Sequence, residues 1–247
     1  MNESRSRVSL ARRFFLSRVG AGAAAFGAAF GTVSVAQAQQ PSGGGAAPRA
    51  PQENWQATRH AEDDWFDQVP ATTKHRVFFD STTSGGIGQA LFFARNTFAA
   101  NTSGYKLTDA DLAQVICLRH QSTSFAFTDA MWAKYSAALS ERSGDFLDPK
   151  TKQVPVINVY LAAGYGELLN NGGVLLDALA KRGVRFAVCS LATRATATLI
   201  AQKTGASVDA VFKELTENLV PSGRMVPAGI VAVNRAQERG YTFGYVA

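Results

Sequence analysis

Four short apolar segments recur along the chain, each bounded by polar or turn-forming residues. They read HRVFFDS (75–81), AQVICLRH (113–120), VRFAVC (184–189) and YTFGYV (241–246). Segments of this length that are rich in Val, Ile and Phe are typical of strands buried on both faces of a parallel sheet. We therefore predict a strand at each of the four.

Longer segments between these strands carry apolar residues at three- and four-residue spacing, which is the pattern of a helix with one buried face. Leu91 and Phe98 fall on one such face. Thr128 or Asp129 can cap a helix start, and Gly205 can end a helix. The predicted helices cover 86–101, 127–142, 173–183, 190–205, 207–219 and 226–240.

This alternation of buried strands and amphipathic helices predicts an α/β fold, a three-layer α/β/α sandwich around a mostly parallel sheet. In such folds, functional groups collect where the carboxyl ends of strands meet the amino ends of helices. Three loops are therefore candidates for chemistry: those after Asp80, after His120 and after Cys189.

One long segment, 143–171, does not fit the alternation. It shows no clean period and contains two prolines and three glycines. Long irregular segments inside a compact domain are often functional. We predict a long excursion from the regular fold here and assign it no contact.

The first 38 residues differ in character from the rest. Arg12 and Arg13 precede an uncharged run, 19–36, in which seven of the eighteen residues are alanine and four are glycine, and an A-x-A site follows at 36–38. This order predicts a secretory signal peptide, and the paired arginines are similar to those of the twin-arginine export route. Because the run is weakly hydrophobic for a membrane anchor, we expect cleavage after residue 38, a periplasmic location and no membrane attachment afterwards.

Residues 39–54 are rich in Gly, Pro, Ala and Gln and predict a flexible linker, so the folded domain is expected to span 55–247.

Charge is unevenly distributed along the chain. Of the 25 basic and 19 acidic residues, five arginines and one acid lie within 1–38, which leaves 20 basic and 18 acidic residues. The mature chain is nearly neutral, and its composition gives no reason to expect nucleic-acid binding.

The chain has two cysteines, Cys117 and Cys189, too few for a disulfide scaffold. Cys189 ends a predicted strand directly before a predicted helix, whose dipole and free N–H groups stabilise a thiolate. Arg194, one turn into that helix, can add positive charge. Since free cysteine is also a common core residue, the sequence leaves open whether Cys189 is a working thiol. A single Cys117–Cys189 disulfide is a further alternative, if the geometry allows it.

Two segments resemble the DsrE-like family of small α/β sulfur-relay proteins. The first is GVLLDALAKRGVRFAVCSLATR (173–194), which has its cysteine at the strand end where that family holds persulfide sulfur. The second is similar to the family's V-P-x-G-[IV] turn, which starts a helix that runs through Q-x-x-G-Y into the last strand. The matching residues are Val226, Pro227, Gly229, Ile230, Gln237, Gly240 and Tyr241. The resemblance covers roughly 74–246, and most of its specificity lies beyond Gly173.

The resemblance implies a DsrE-like fold, assembly into a homo-oligomer and a sulfur-carrier role for Cys189. That role would use thiolate attack and persulfide exchange with a sulfur-donor or sulfur-acceptor protein. Relays of this family work in the cytoplasm beside such partners, whereas this chain is expected to be exported.

The loop DSTTSGGIGQA (80–90) offers a different kind of site. Hydroxyls and glycines before a helix can cradle a phosphate, and STTSGG faintly resembles the phosphate loop of flavodoxins, which would imply a flavin or a nucleotide. The alternative is a glycine-eased turn with a Ser or Thr helix cap. The candidate binding residues are Ser81, Thr82, Thr83, Ser84, Gly85 and Gly86.

His120 is the histidine placed to assist Cys189. If it ends the strand that contains Cys117, the two side chains point to opposite faces and cannot share a metal ion, so Cys117 is expected to be core. His120 can serve as base or charge partner of Cys189, or it can be hydrogen-bonded within its own loop. His60 and His75 lie away from this edge, and no zinc or haem site is predicted.

The sequence thus leaves three classes of function. The first is sulfur or thiol chemistry at Cys189, with His120 and Arg194 as assistants. The second is a periplasmic binding module that holds a small ligand or a partner through the loop 81–86 and the excursion. The third is a structural oligomer in which Cys189 is only core.

Overall fold

The computed structural model describes residues 56–247. The predicted signal peptide (1–38), the predicted linker (39–54) and Trp55 lie outside the described residues. Within 56–247, no helix has both the length and the apolar character needed to cross a membrane.

The described residues contain one sheet of five parallel strands, and the predicted α/β sandwich with a mostly parallel sheet is confirmed. The strands are β1 (His75–Ser81), β2 (Leu112–Leu118), β3 (Arg185–Cys189), β4 (Gly223–Val226) and β5 (Thr242–Val246). Their order across the sheet is β4-β3-β2-β1-β5. The chain therefore steps outward from β1 to β4 and then returns to the far side of β1, so the strand order reverses between β1 and β5.

Six α-helices connect or follow these strands in the described part of the chain. They are α1 (Ser84–Tyr105), α2 (Asp129–Arg142), α3 (Leu176–Lys181), α4 (Ser190–Thr204), α5 (Val208–Glu217) and α6 (Gly229–Gln237). Short 3-10 helices cover Ala61–Asp67, Asp109–Asp111, His120–Ala126 and Gly166–Leu168. As the sequence indicates, Gly205 ends α4 in the left-handed conformation, with φ of 75°, which glycine adopts without steric cost.

Two differences from the prediction bear on the site. Strand β4 was not predicted, and it takes Val226, which was assigned to the last helix. Because a residue before proline is pushed toward extended conformations, Val226 ends a strand ahead of Pro227 and α6 starts only at Gly229. Strand β2 ends at Leu118, so His120 lies in the following 3-10 helix and not in the strand.

Alternate strand residues face two separate cores, as the two-residue period of a strand requires. Phe79 and Ile116 face a large core built with α1 to α5. Phe78 and Val115 face a smaller core built with α6 and the 3-10 segment that contains Phe66. Helices and helical turns thus cover both faces, which produces the three layers.

The segment 143–171 crosses over the start of α1 with one 3-10 turn and is held by buried polar groups. The Asn158 amide donates to the Phe125 and Phe127 carbonyls, both at 2.8 Å, and its oxygen accepts from the Tyr160 N–H at 3.1 Å. The Tyr160 hydroxyl donates to the Ser84 carbonyl at 2.7 Å. The segment is therefore packed against the edge where the strands end.

Candidate functional site

Cys189 is the last residue of β3 and the N-terminal cap of α4. Its Sγ accepts a hydrogen bond from the Ala192 N–H at 3.5 Å, and its carbonyl accepts one from the Thr193 hydroxyl at 3.0 Å. The thiol is therefore held in a defined direction by the start of α4.

A cavity of about 290 Å³ lies against this thiol, and it is lined by Arg119, His120 and Arg142 together with the first residues of α4 and α6. Leu191 and Ile230, which are 68% and 60% exposed, lie on its apolar side. The two segments on which the sequence resemblance rests thus meet at one cavity, with Cys189 from the first and Gly229 with Ile230 from the second.

Gly229 is required at this cavity by close packing. A Cβ at this position would lie 2.7 Å from Arg119 Cδ and 3.0 Å from Cys117 Sγ. These separations are shorter than van der Waals contact, so only glycine lets α6 start this close to β2. The position of Arg119 in the cavity therefore depends on the absence of a side chain at 229.

Arg119 is fixed by a buried ion pair with Asp80 from the neighbouring strand. Its Nε donates to Asp80 Oδ1 at 2.7 Å and its Nη2 to Oδ2 at 2.8 Å. The hydrogen bonds to Asp80 raise the pKa of Arg119 above its usual value. This bidentate geometry keeps the guanidinium charged and in one orientation at the cavity wall.

Cys117 is more deeply buried than Cys189, with 0% of it exposed against 7% of Cys189. It is fully buried in the smaller core, and burial, followed by the charge of Asp80, raises its pKa well above the usual value of a thiol. Both cysteines are free. Cys117 pairs with Ala187, so Cys189 lies two residues further along the next strand, which gives a Cα separation of about 8 Å, too long for a disulfide without backbone movement.

His120 lies at the cavity, although not in the strand where it was predicted. Its φ is 54°, a left-handed value that histidine adopts more readily than most residues. The loop is tied to the end of β1, because the Gln121 N–H donates to the Thr82 carbonyl at 3.1 Å. His120 is exposed and lines the cavity of Cys189, so the structure brings these two candidates together.

Arg194 lies elsewhere. Its guanidinium pairs with Asp209 on α5 and lies 4.6 Å from the centre of the Phe212 ring, and the residue does not line the cavity. Five residues along a helix correspond to about 500° of rotation, so a side chain at 194 points well away from Cys189. The structure thus does not bring this candidate to the thiol.

A second and larger cavity, of about 490 Å³, shares Arg119, His120 and Arg142 with the first. Its other walls are Thr82 and Thr83 after β1, Gln121, and Tyr245 of β5. The two cavities therefore adjoin along the edge where β1, β2, β3 and β5 end.

The six candidates of the loop 81–86 divide between this cavity and packing. Thr82 and Thr83 line the cavity, and Thr83 also caps α1 by accepting from the Gly86 N–H at 2.8 Å. Ser81 is the last residue of β1, the Ser84 hydroxyl donates to the Ser143 carbonyl, and the Gly85 carbonyl accepts from Asn170 at 2.8 Å. A Cβ at Gly86 would lie 2.7 Å from the Val246 carbonyl oxygen, so this glycine permits close packing of β5.

Arg119 and Arg142 are the site residues that sequence reasoning missed. Arg119 carried a readable signal, because Asp80 and Arg119 follow the apolar parts of two adjacent strands with opposite charges. Arg142 carried no signal in the sequence. It lies at the end of α2 and reaches the cavity only because α2 packs close to the loop after β1. Arg119 is balanced by Asp80, so Arg142 is the one of the two that adds an uncompensated positive charge to the site.

Among residues 56–247 there is no group of three or more His, Cys, Asp or Glu side chains arranged to hold a metal ion. The fold and the site define an α/β protein with a parallel sheet. At the carboxyl edge of that sheet, a cysteine thiol caps a helix and arginines lie beside it. Comparison with protein-family models, with curated proteins and with solved structures found no match to this chain. The DsrE-like resemblance remains a prediction from the residues quoted above.

Proposed function

We propose that this protein is a DsrE-like sulfur carrier that holds persulfide sulfur on Cys189. The observation that supports this most is the placement of the thiol. Cys189 accepts the Ala192 N–H at a helix start and opens onto a cavity whose polar walls are Arg119, His120 and Arg142. Cationic surroundings of this kind stabilise both a thiolate and the anionic persulfide that follows from it.

The proposed step is an exchange between two sulfur atoms. The Cys189 thiolate attacks the outer sulfur of a donor persulfide, a new S–S bond forms at Cys189, and the donor's S–S bond breaks with its electron pair passing to the donor thiolate. His120, on the same cavity, takes the proton of the Cys189 thiol beforehand. No external oxidant is needed, because the sulfur is transferred at constant oxidation state.

The apolar residues beside the cavity support a protein as the donor or acceptor. Leu191 and Ile230 are the large exposed side chains next to the thiol. Apolar side chains exposed together in this way are typical of contact surfaces. We include in the proposal assembly into a homo-oligomer and export through the twin-arginine route to the periplasm, as the sequence indicates.

The matched pair of cysteines allows a direct test. Cys189→Ser and Cys117→Ser variants are treated with glutathione persulfide, desalted and analysed by intact mass, with iodoacetamide labelling in parallel. We expect the native wild type and Cys117→Ser to gain one sulfur atom, about 32 Da, and to lose it after reduction. Cys189→Ser should gain nothing without denaturant. A native protein that neither labels nor gains sulfur at Cys189 would refute the carrier role.

Arg194→Gln provides the matched arginine control, because Arg194 pairs with exposed Asp209 away from the cavity. Its sulfur loading should equal that of the wild type, whereas Arg142→Gln should load more slowly. Equal loss in both variants would show that the two arginines act through general charge and not through the cavity.

The second class, a small-ligand binding module, is favoured by one observation, the larger cavity next to Thr82 and Thr83. A flavin or a nucleotide is the ligand that the sequence indicates there. The visible and near-ultraviolet spectrum of the purified protein tests this alternative, since bound flavin or bound base would absorb beyond what the aromatic residues contribute.

A further inference from the structure

The larger cavity lies where the strand order of the sheet reverses. Thr82 and Thr83 follow β1, and Tyr245 belongs to β5, the two strands between which the reversal occurs. In open parallel sheets, small ligands bind in a crevice outside the carboxyl ends of the strands, at the point where the strand order reverses. The volume of about 490 Å³ lies within the range of small-molecule sites.

One cation at this crevice, Arg142, lacks a compensating acid. Arg119, His120 and Arg142 line it, and no carboxylate is among the residues that do. Asp80 behind it is already matched by Arg119. Within residues 56–247, Arg142 forms no salt bridge, and its neighbour Glu141 pairs with Lys203 at 2.8 Å. The cavity therefore presents at least one cation whose charge is not balanced by the protein around it.

Arg142 also carries an unsatisfied donor. Its Nε is buried and has no hydrogen-bond partner among the described residues. A buried donor without an acceptor is unfavourable, and such a group in a native protein calls for an explanation such as a bound ion or water. The carboxyl end of α2 accounts for a cation at this place, but it offers the Nε no acceptor.

Neutral donors complete the lining. The Thr82 hydroxyl lies 3.1 Å from the Tyr245 hydroxyl, so one of the two protons is directed to the other oxygen and the second is free. Thr83 Oγ1 already accepts the Gly86 N–H, which leaves its own proton to donate. Hydroxyls and guanidinium groups that converge in one crevice are the donor set that binds tetrahedral oxyanions.

We propose that this crevice binds a small molecule through a tetrahedral oxyanion group, of the sulfate, sulfonate or phosphate class, with Arg142 as the principal cation. The ligand lies beside the Cys189 cavity, because the two share Arg119, His120 and Arg142. This binding does not require the thiol, although His120 and Arg142 serve both proposals.

Isothermal titration calorimetry tests the proposal. The full chain is titrated at low ionic strength with sodium sulfate and, separately, with sodium phosphate. We expect saturable binding of at least one anion, and affinity that falls as sodium chloride is added. The sulfate and phosphate titrations distinguish which oxyanion class the crevice prefers. Arg142→Gln should weaken binding tenfold or more, and Thr82→Val should weaken it by a smaller factor.

Arg194→Gln and Cys189→Ser are the controls, and both should bind the anion as the wild type does. The Cys189→Ser result separates the two proposals, because it abolishes sulfur loading but leaves the anion site intact. The proposal is overturned if neither anion shows saturable binding at millimolar concentration, or if Arg142→Gln binds as tightly as the wild type. If Arg142→Gln does not fold, the single variants Thr82→Val and His120→Asn replace it. Anion binding as tight as that of the wild type in both of them would overturn the proposal.

Discussion

The ion pair between Asp80 and Arg119 should be the most stability-sensitive feature of the site. Asp80 is 1% exposed and the Arg119 side chain 16%, and two parallel hydrogen bonds join them. Replacing Asp80 by Ala leaves a largely buried cation with two unsatisfied donors. Removing one partner of a buried pair costs about 3–5 kcal/mol, so we expect the free energy of unfolding to fall by about that amount.

The assay is chemical unfolding followed by circular dichroism, together with calorimetric melting. For a domain of about this size, each kcal/mol lowers Tm by about 2–4 °C, so Asp80→Ala should melt about 6–20 °C lower. The double variant Asp80→Leu/Arg119→Met should recover most of the loss, because an apolar pair of similar volume replaces a buried ion pair at little cost.

The chain provides a matched control on its surface. Arg182 and Asp109 form the same bidentate pair at 2.8 Å, but with side chains 38% and 41% exposed. Because water screens such a pair, Asp109→Ala should cost less than about 1 kcal/mol. Equal costs for Asp80→Ala and Asp109→Ala would refute the argument that burial sets the energy of the pair at the site.

Three further predictions concern other parts of the fold. Gly229→Ala should destabilise the protein by about 1–3 kcal/mol through overpacking, because its Cβ would lie 2.7 Å from Arg119 Cδ. Denaturant unfolding curves measure this loss, and an unchanged free energy of unfolding would show that α6 can shift to make room. The hydrogen bond from the Thr108 N–H lowers the pKa of Asp111 from 3.8 to about 2, so the ionised carboxylate stabilises the fold above pH 4 and this contribution is lost as the pH falls toward 2. In Asp111→Asn, the free energy of unfolding should depend less on pH over that window. An unchanged pH dependence would contradict the assignment. Asn158→Ala should cost about 3 kcal/mol, because it leaves two buried carbonyls and one N–H without partners, and proteolysis within 143–171 should accelerate with it.

The regular part of the fold was predictable because local pattern and tertiary structure agree there. β1, β3 and β5 lie within a residue of the apolar segments that predicted them, since a strand buried on both faces has to be apolar throughout. Strand β4 was not predicted because its four residues, Gly223–Val226, are too few to show a two-residue period. It lies at the sheet edge and pairs only with β3. Its extent is set by that neighbour and not by its own composition.

The site was predictable in position but not in composition. Cys189 and Thr82 were found because Cys189 ends a strand and Thr82 follows one, and strand ends are where functional loops meet in this fold. Arg194 was proposed from chain proximity, which fails on a helix because rotation carries a nearby residue to another face. Arg142 was missed for the converse reason, since it is distant in sequence and reaches the cavity through the packing of α2.

The return of the chain to the far side of β1 has a consequence for when the site exists during folding. Strand β5 pairs only with β1, and residues such as Val77 and Thr242 come from opposite ends of the described chain. Contacts of such high sequence separation carry a large loop-closure cost and form slowly. Tyr245, one wall of the larger cavity, is therefore in place only after this closure, and an edge strand is among the first to open locally. Amide exchange along β5 should accordingly report the fraction of molecules whose crevice is assembled, and bound oxyanion should slow that exchange.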